Sequence, residues 1–114
     1  MKILNYKDME PSPVTNEDAQ GVTVRWLIAK EDGAPNVAMR LFEVEPGGNT
    51  PLHTHPWEHE VFILDGNGVV WNEGDEVAVG PGTAILIHPG EEHCLRNTGE
   101  GVFRFICLIP VEAQ

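Results

Sequence analysis

Three of the five histidines in this 114-residue chain, His53, His55 and His59, fall within seven residues of one stretch, Gly47–Gly66 (GGNTPLHTHPWEHEVFILDG). A histidine pair at i and i+2 near a strand end shares one face, so His53 and His55 can aim at a single atom. Pro56-Trp57-Glu58 then turns the chain, and His59 opens the next strand. His93 starts a later strand, behind the tight turn His88-Pro89-Gly90. Neutral imidazoles suit zinc, copper, iron, nickel or manganese, whereas calcium and magnesium demand oxygen ligands. The expectation is one divalent transition metal held by His53, His55, His59 and His93. His88, placed before a proline in a turn, is expected to face solvent.

The elements that must position these side chains are short strands. GVTVRWLIA (21–29) alternates with a period of two, placing Val22, Val24 and Trp26 on one face. VAMRLFEVEPGG (37–48) is a second strand, and HEVFILDG (59–66) a third, stopped by the Asp65-Gly66-Asn67-Gly68 cluster. VVW (69–71) is expected to answer that third strand as its hairpin partner. Short strands follow at EVAV (76–79), AILI (84–87), HCLRN (93–97) and VFRFICLIP (102–110). Thr15-Asn16-Glu17-Asp18 could cap a single helical turn. Strands this short, with turn signals every 8–12 residues, point to an antiparallel sandwich or barrel. The organisation expected is an N-terminal arm over 1–20 and one all-β domain over 21–114.

Composition narrows the partners. Seven Lys+Arg against eighteen Asp+Glu give a formal charge of −11, which argues against nucleic acid or an anionic membrane surface. The chain has no apolar run of the roughly 18–20 residues a membrane helix needs, and the start MKILNYKDME lacks a signal-peptide core. A cytoplasmic location follows as the expectation. Cys94 and Cys107 are expected to be free thiols rather than a disulfide framework. Neither a Ser-His-Asp order, a phosphate loop nor a CxxC spacing occurs.

The two histidine segments resemble the paired motifs of the cupins, a family of small antiparallel barrels. The first family motif reads G(X)5HXH(X)3,4E(X)6G; Gly47, His53, His55, His59 and Gly66 reproduce it, with His59 where glutamate is usual. The second reads G(X)5PXG(X)2H(X)3N; Gly82, His88, Gly90, His93 and Asn97 reproduce its spacing, with His88 in place of the proline. Glu60 is the alternative ligand, in the longer form of the first motif. The phrases PGG…HxHPWEHE and RN…CLIP are similar to those of small four-histidine monocupins. The resemblance implies a double-stranded β-helix (jelly-roll) barrel, a mononuclear site with manganese as its first candidate, and a homodimer.

Alternation outward from the ligands suggests the pocket. Val61 and Ile63 should point inward with His59; Arg40, Phe42 and Val44 share one face, as do Phe105 and Cys107. Arg40, Phe42, Trp57, Ile63, Phe105 and Cys107 are therefore the expected lining, with Arg40 and Glu60 the candidates for a direct part in chemistry. Four neutral ligands leave a divalent ion its full charge, which favours an anionic small molecule. The expected function is an oxygenase- or dioxygenase-type oxidoreductase. The alternatives are a non-redox isomerase or lyase of a keto-sugar or carboxylate, and a dicarboxylate-binding protein.

Overall fold

The computed structural model describes residues 1–16 and 18–114. The helical turn expected at Thr15–Asp18 includes Glu17, which lies outside the described residues. Among the described residues, nine strands and three single 3-10 turns follow in order, and every strand pairing is antiparallel. The strands are β1 (Ser12–Pro13), β2 (Gln20–Ile28), β3 (Val37–Asn49), β4 (His59–Asp65), β5 (Gly68–Asn72), β6 (Asp75–Val79), β7 (Ala84–Ile87), β8 (His93–Asn97) and β9 (Phe103–Pro110). Among the described residues, no helix is long and apolar enough to cross a membrane.

One hydrogen-bonded path runs β6-β5-β8-β3-β9-β4-β7, with β2 laid on β3 and β1 on β2. The 13-residue β3 makes this path possible. Its first part pairs with β9 from Val37 to Val44, while its last residue, Asn49, pairs with Arg96 of β8. Between them, Gly47 takes φ 79°, which lets the strand change course. Gly48 cannot carry a side chain, since a Cβ there would stand 2.4 Å from the Gln20 carbonyl oxygen.

The hairpin expected between HEVFILDG and VVW does not form. β4 pairs with β7 and β9, whereas β5 pairs with β6 and β8. The Asp65–Gly68 segment is a crossover from one part of the curled sheet to another. Close packing at its glycines explains the difference: a Cβ at Gly66 would lie 2.4 Å from the Val102 carbonyl oxygen, and one at Gly68 2.7 Å from the Phe103 ring. Gly-Asn-Gly reads locally as a tight turn, but here it lets the chain pass against β9.

The core forms where inward rows meet across strands. Val24, Phe42, Phe105 and Ile63 are cross-strand neighbours, and so are Trp26, Arg40, Cys107 and Val61. Phe103, Leu41, Ile63 and Val44 are fully buried. The first row reaches the packed interior at its end, with the fully buried Ile63. The second row, half apolar and half polar, opens toward the histidines. Asn97 ties the interior together, its Nδ2 donating to the Val44 and Gly101 carbonyls at 2.9 and 2.8 Å while its Oδ1 accepts from the Gly99 N–H at 2.9 Å.

Candidate metal centre

His53 and His93 face each other as an isolated antiparallel bridge. The His53 N–H donates to the His93 carbonyl at 3.2 Å, and the His93 N–H to the His53 carbonyl at 3.0 Å. This reciprocal pair joins the two histidine segments through the backbone and so fixes the spacing of their side chains. His55 follows two residues on, its ring 4.0 Å from that of His53 between centroids and 5.8 Å from that of His93. Ring nitrogens of His53, His55 and His93 all lie within 4.8 Å of one another. Two imidazole nitrogens on a single ion stand no more than about 4.2 Å apart, at bonds of roughly 2.1 Å each, so small side-chain rotations suffice to bring the three onto one ion.

His59, the fourth expected ligand, adjoins this group but is not one of the three. Its ring stacks on His55 at 4.8 Å and meets His93 edge-on at 5.4 Å. Both of its nitrogens already have partners: Nε2 lies 3.1 Å from the Trp57 indole nitrogen, and Nδ1 3.3 Å from the Cys107 sulfur. An indole N–H can only donate, so His59 Nε2 must be the accepting lone pair and the proton must sit on Nδ1, directed at sulfur. The same logic fixes His93, whose Nδ1 is 2.9 Å from the Glu91 carbonyl oxygen. A carbonyl only accepts, so Nδ1 carries the proton and Nε2 keeps its lone pair.

The electrostatics favour the neutral form of His53, His55 and His59. Burial, helped by the neighbouring histidines, holds the His53 pKa down at about 4. Burial and then the Arg40 charge lower that of His59 to about 3, and burial also lowers that of His55. Neutral rings with free lone pairs are what a divalent transition metal requires, so the donor set fits one.

These side chains stand in a cavity of about 290 Å³, close to the lower end of the roughly 300–1,000 Å³ of small-molecule sites. Of the expected lining, Arg40, Phe42, Trp57, Phe105 and Cys107 border it. Ile63 does not, because it lies in the packed row behind; Val61, one pleat nearer the histidines, takes that position. Glu60, the alternative ligand and proton carrier, faces away from the site. Period-two alternation sends it outward when His59 points in, and it stands beside Glu58, where burial and then that carboxyl raise its pKa. His88 is exposed and pairs with Glu91 at 2.9 Å. Trp26 is a wall residue that its strand pattern alone did not assign; the signal is its register opposite Arg40.

Comparison with known proteins gives a consistent picture. Residues 40–109, more than half of the chain, match the family model for the Cupin domain of the Cupin 2 family. The oxalate-binding protein of Thermotoga maritima is 30% identical over 113 residues, covering 94% of this chain and 92% of that protein. The structure of the polyketide cyclase RemF from Streptomyces resistomycificus matches with a TM-score of 0.91 at 36% identity, over 97% of this chain and 80% of that one. A predicted oxalate decarboxylase from Thermotoga maritima matches with a TM-score of 0.86 at 26% identity, over 96% and 98% of the two chains.

Proposed function

The chain belongs to the cupin family, and from that premise we propose that it is a mononuclear metal enzyme acting on a small organic molecule. The observation that carries the reading is the convergence of three imidazoles, His53, His55 and His93, on one side of a largely apolar cavity. His53, His55 and His93 would hold the metal, with His59 as a fourth ligand once Trp57 releases it. Manganese is the first candidate, with iron, copper, nickel or zinc as the other metals such a donor set takes. When bound, the ion would supply Lewis acidity and, if redox-active, electron transfer at positions the protein leaves open. The chain's own residues do the rest. Phe42, Phe105 and Val61 exclude water from one side. The Glu91 carbonyl and the Cys107 sulfur hold the proton of His93 and His59 on Nδ1, away from the site.

Two reactions suit this arrangement. The first is the oxygenase or dioxygenase type, for which open positions on a redox-active ion provide the chemistry. The second is non-redox polarisation of a carbonyl or enolate, and the similarity to a polyketide cyclase favours it specifically. The test is to strip the protein and reload it with manganese, iron or zinc. Phenolic and β-dicarbonyl substrates are then followed in air and under argon. Turnover with zinc under argon selects the non-redox reaction; oxygen uptake restricted to iron or manganese selects the oxygenase. Failure of every metal to bind at the histidines would overturn the metal-enzyme reading itself.

The protein is further proposed to pair as a homodimer and to work in the cytoplasm. Phe62 and Leu86 support the first, as large apolar side chains exposed on the outer face of β4 and β7. The two free cysteines support the second. Sedimentation of a monomer at micromolar concentration would refute the dimer.

A further inference from the structure

The four arginines are not treated alike by this acidic chain. Arg25 pairs with Glu43, Arg104 with both Glu43 and Asp65, and Arg96 with Glu76. Arg40, among the described residues, has no carboxylate partner. Its Nη2 donates to the Cys107 sulfur at 3.1 Å, a weak acceptor, and its Nε is buried with no acceptor among the described residues. An unmatched buried donor on a guanidinium is costly, and an acidic protein has many carboxylates with which to remove that cost. The fold keeps them out. Arg40 sits on the inward face of β3, with Trp26 beside it on β2 and Cys107 beside it on β9. Its guanidinium carbon lies 5.3 Å from the Trp26 ring centroid and 4.9 Å from that of Phe42, so aromatic faces fix its position without neutralising it.

Position gives this cation its meaning. Arg40 borders the histidine cavity, and it also borders a second cavity of about 310 Å³ walled by Pro13, Val14 and Thr15 of the N-terminal arm. Trp26, Phe42, Pro51 and His53 are common to both. The guanidinium therefore stands at the junction of two spaces, set against the Trp26 and Phe42 rings and bordering the same cavity as the histidines, with its Nε buried behind.

We propose that Arg40 is the anion-recognition residue of the site, and that the ligand is a planar organic carboxylate or enolate. Its anionic group pairs with the guanidinium, its flat body lies along Phe42, Phe105 and Trp26, and a second oxygen is directed at the histidines. A body too large for the histidine cavity extends into the space beneath the N-terminal arm. This rests on the reading of the cavity as a ligand site, but anion recognition by Arg40 does not itself need a metal.

The test uses salicylate as probe, with neutral salicylamide of the same shape as its control, on the full chain both metal-free and manganese-loaded. A charge-assisted hydrogen bond contributes roughly 1.5–3 kcal/mol, so salicylate should bind about 10- to 100-fold more tightly than salicylamide in both forms. In the metal-free protein, Arg40→Met should abolish that preference, and Arg40→Lys should restore part of it. Because a half-buried arginine can affect folding, the wild-type protein supplies a second readout. In a ¹⁵N-resolved spectrum the Arg40 Nε–H resonance should shift on adding salicylate, while those of Arg25, Arg96 and Arg104 stay fixed. An unmoved Arg40 Nε–H, or a metal-free Arg40→Met protein that keeps the preference, overturns the proposal. Metal failing to bind while salicylate still moves Arg40 would instead sink the metal-enzyme reading and leave this one standing.

Discussion

Trp57→Phe should tighten metal binding. In the wild-type chain the Trp57 indole N–H occupies His59 Nε2 at 3.1 Å, the only lone pair this ring can offer. For His59 to join the three grouped histidines, that hydrogen bond must break. Phenylalanine removes the donor but keeps an aromatic ring to stack on His55, as Trp57 does now at 4.7 Å between centroids. A hydrogen bond of this kind contributes about 0.5–1.5 kcal/mol net. At about 1.4 kcal/mol per tenfold, its removal should raise affinity by roughly 2- to 12-fold. The measurement is a competition titration of the stripped protein against a chromophoric chelator, with manganese and with zinc. A parallel readout is Trp57 fluorescence in a Trp26→Phe, Trp71→Phe background, which should change on loading as the indole leaves His59. Equal or weaker affinity in a folded Trp57→Phe protein, with fluorescence unmoved by metal, would show that His59 is not a ligand.

Other consequences of the structure are equally direct. Asn97→Ala removes three hydrogen bonds, one buried and two part-buried, and leaves the Val44 and Gly101 carbonyls short of a donor; it should cost about 2–4 kcal/mol, read as a lower urea midpoint. The metal-free protein should lose stability as pH falls from about 6.5 to about 4. In that window the unfolded chain protonates its histidines, while His53 and His59 stay neutral in the fold, so the unfolded state binds more protons. Urea midpoints measured across the window should fall with acidification, and a flat profile above pH 5 would refute the buried-neutral assignment. Metal and salicylate should assist each other's binding by one and the same factor, measured by titrating each in the presence of the other; independent binding would mean that they do not share the cavity.

How much of this was legible in the chain depends on the range of the interaction concerned. The all-β architecture and eight strands could be read from period-two patterns and Gly/Pro punctuation, because both are local properties of the backbone. That His53, His55 and His93 would meet could be read from motif spacing, and the backbone bridge between His53 and His93 is its physical basis. What failed was partner choice. Asp65-Gly66-Asn67-Gly68 has the chemistry of a hairpin turn, yet its glycines serve close packing on Val102 and Phe103, some 35 residues away in the chain. Likewise, alternation placed Val61 and Ile63 on one face, but only the sheet's curvature decides which of them borders the cavity and which is sealed in the core. The Trp57–His59 hydrogen bond depends on side-chain rotamers and leaves no mark on the sequence.

The charge pattern of the site bears on the anion proposed for it. A chain with net charge −11 places, around one cavity, an unpaired guanidinium and a set of imidazoles kept neutral by burial. Arg40 itself helps keep His59 unprotonated, so the same cation that disfavours imidazolium must also oppose a divalent ion on those rings. Left alone, guanidinium and metal would repel. A ligand carrying negative charge between them turns that repulsion into two attractions. It does so without a protein carboxylate, which alternation has directed outward at Glu60. On that proposal, the negative charge that completes the centre would come with the ligand rather than from the fold.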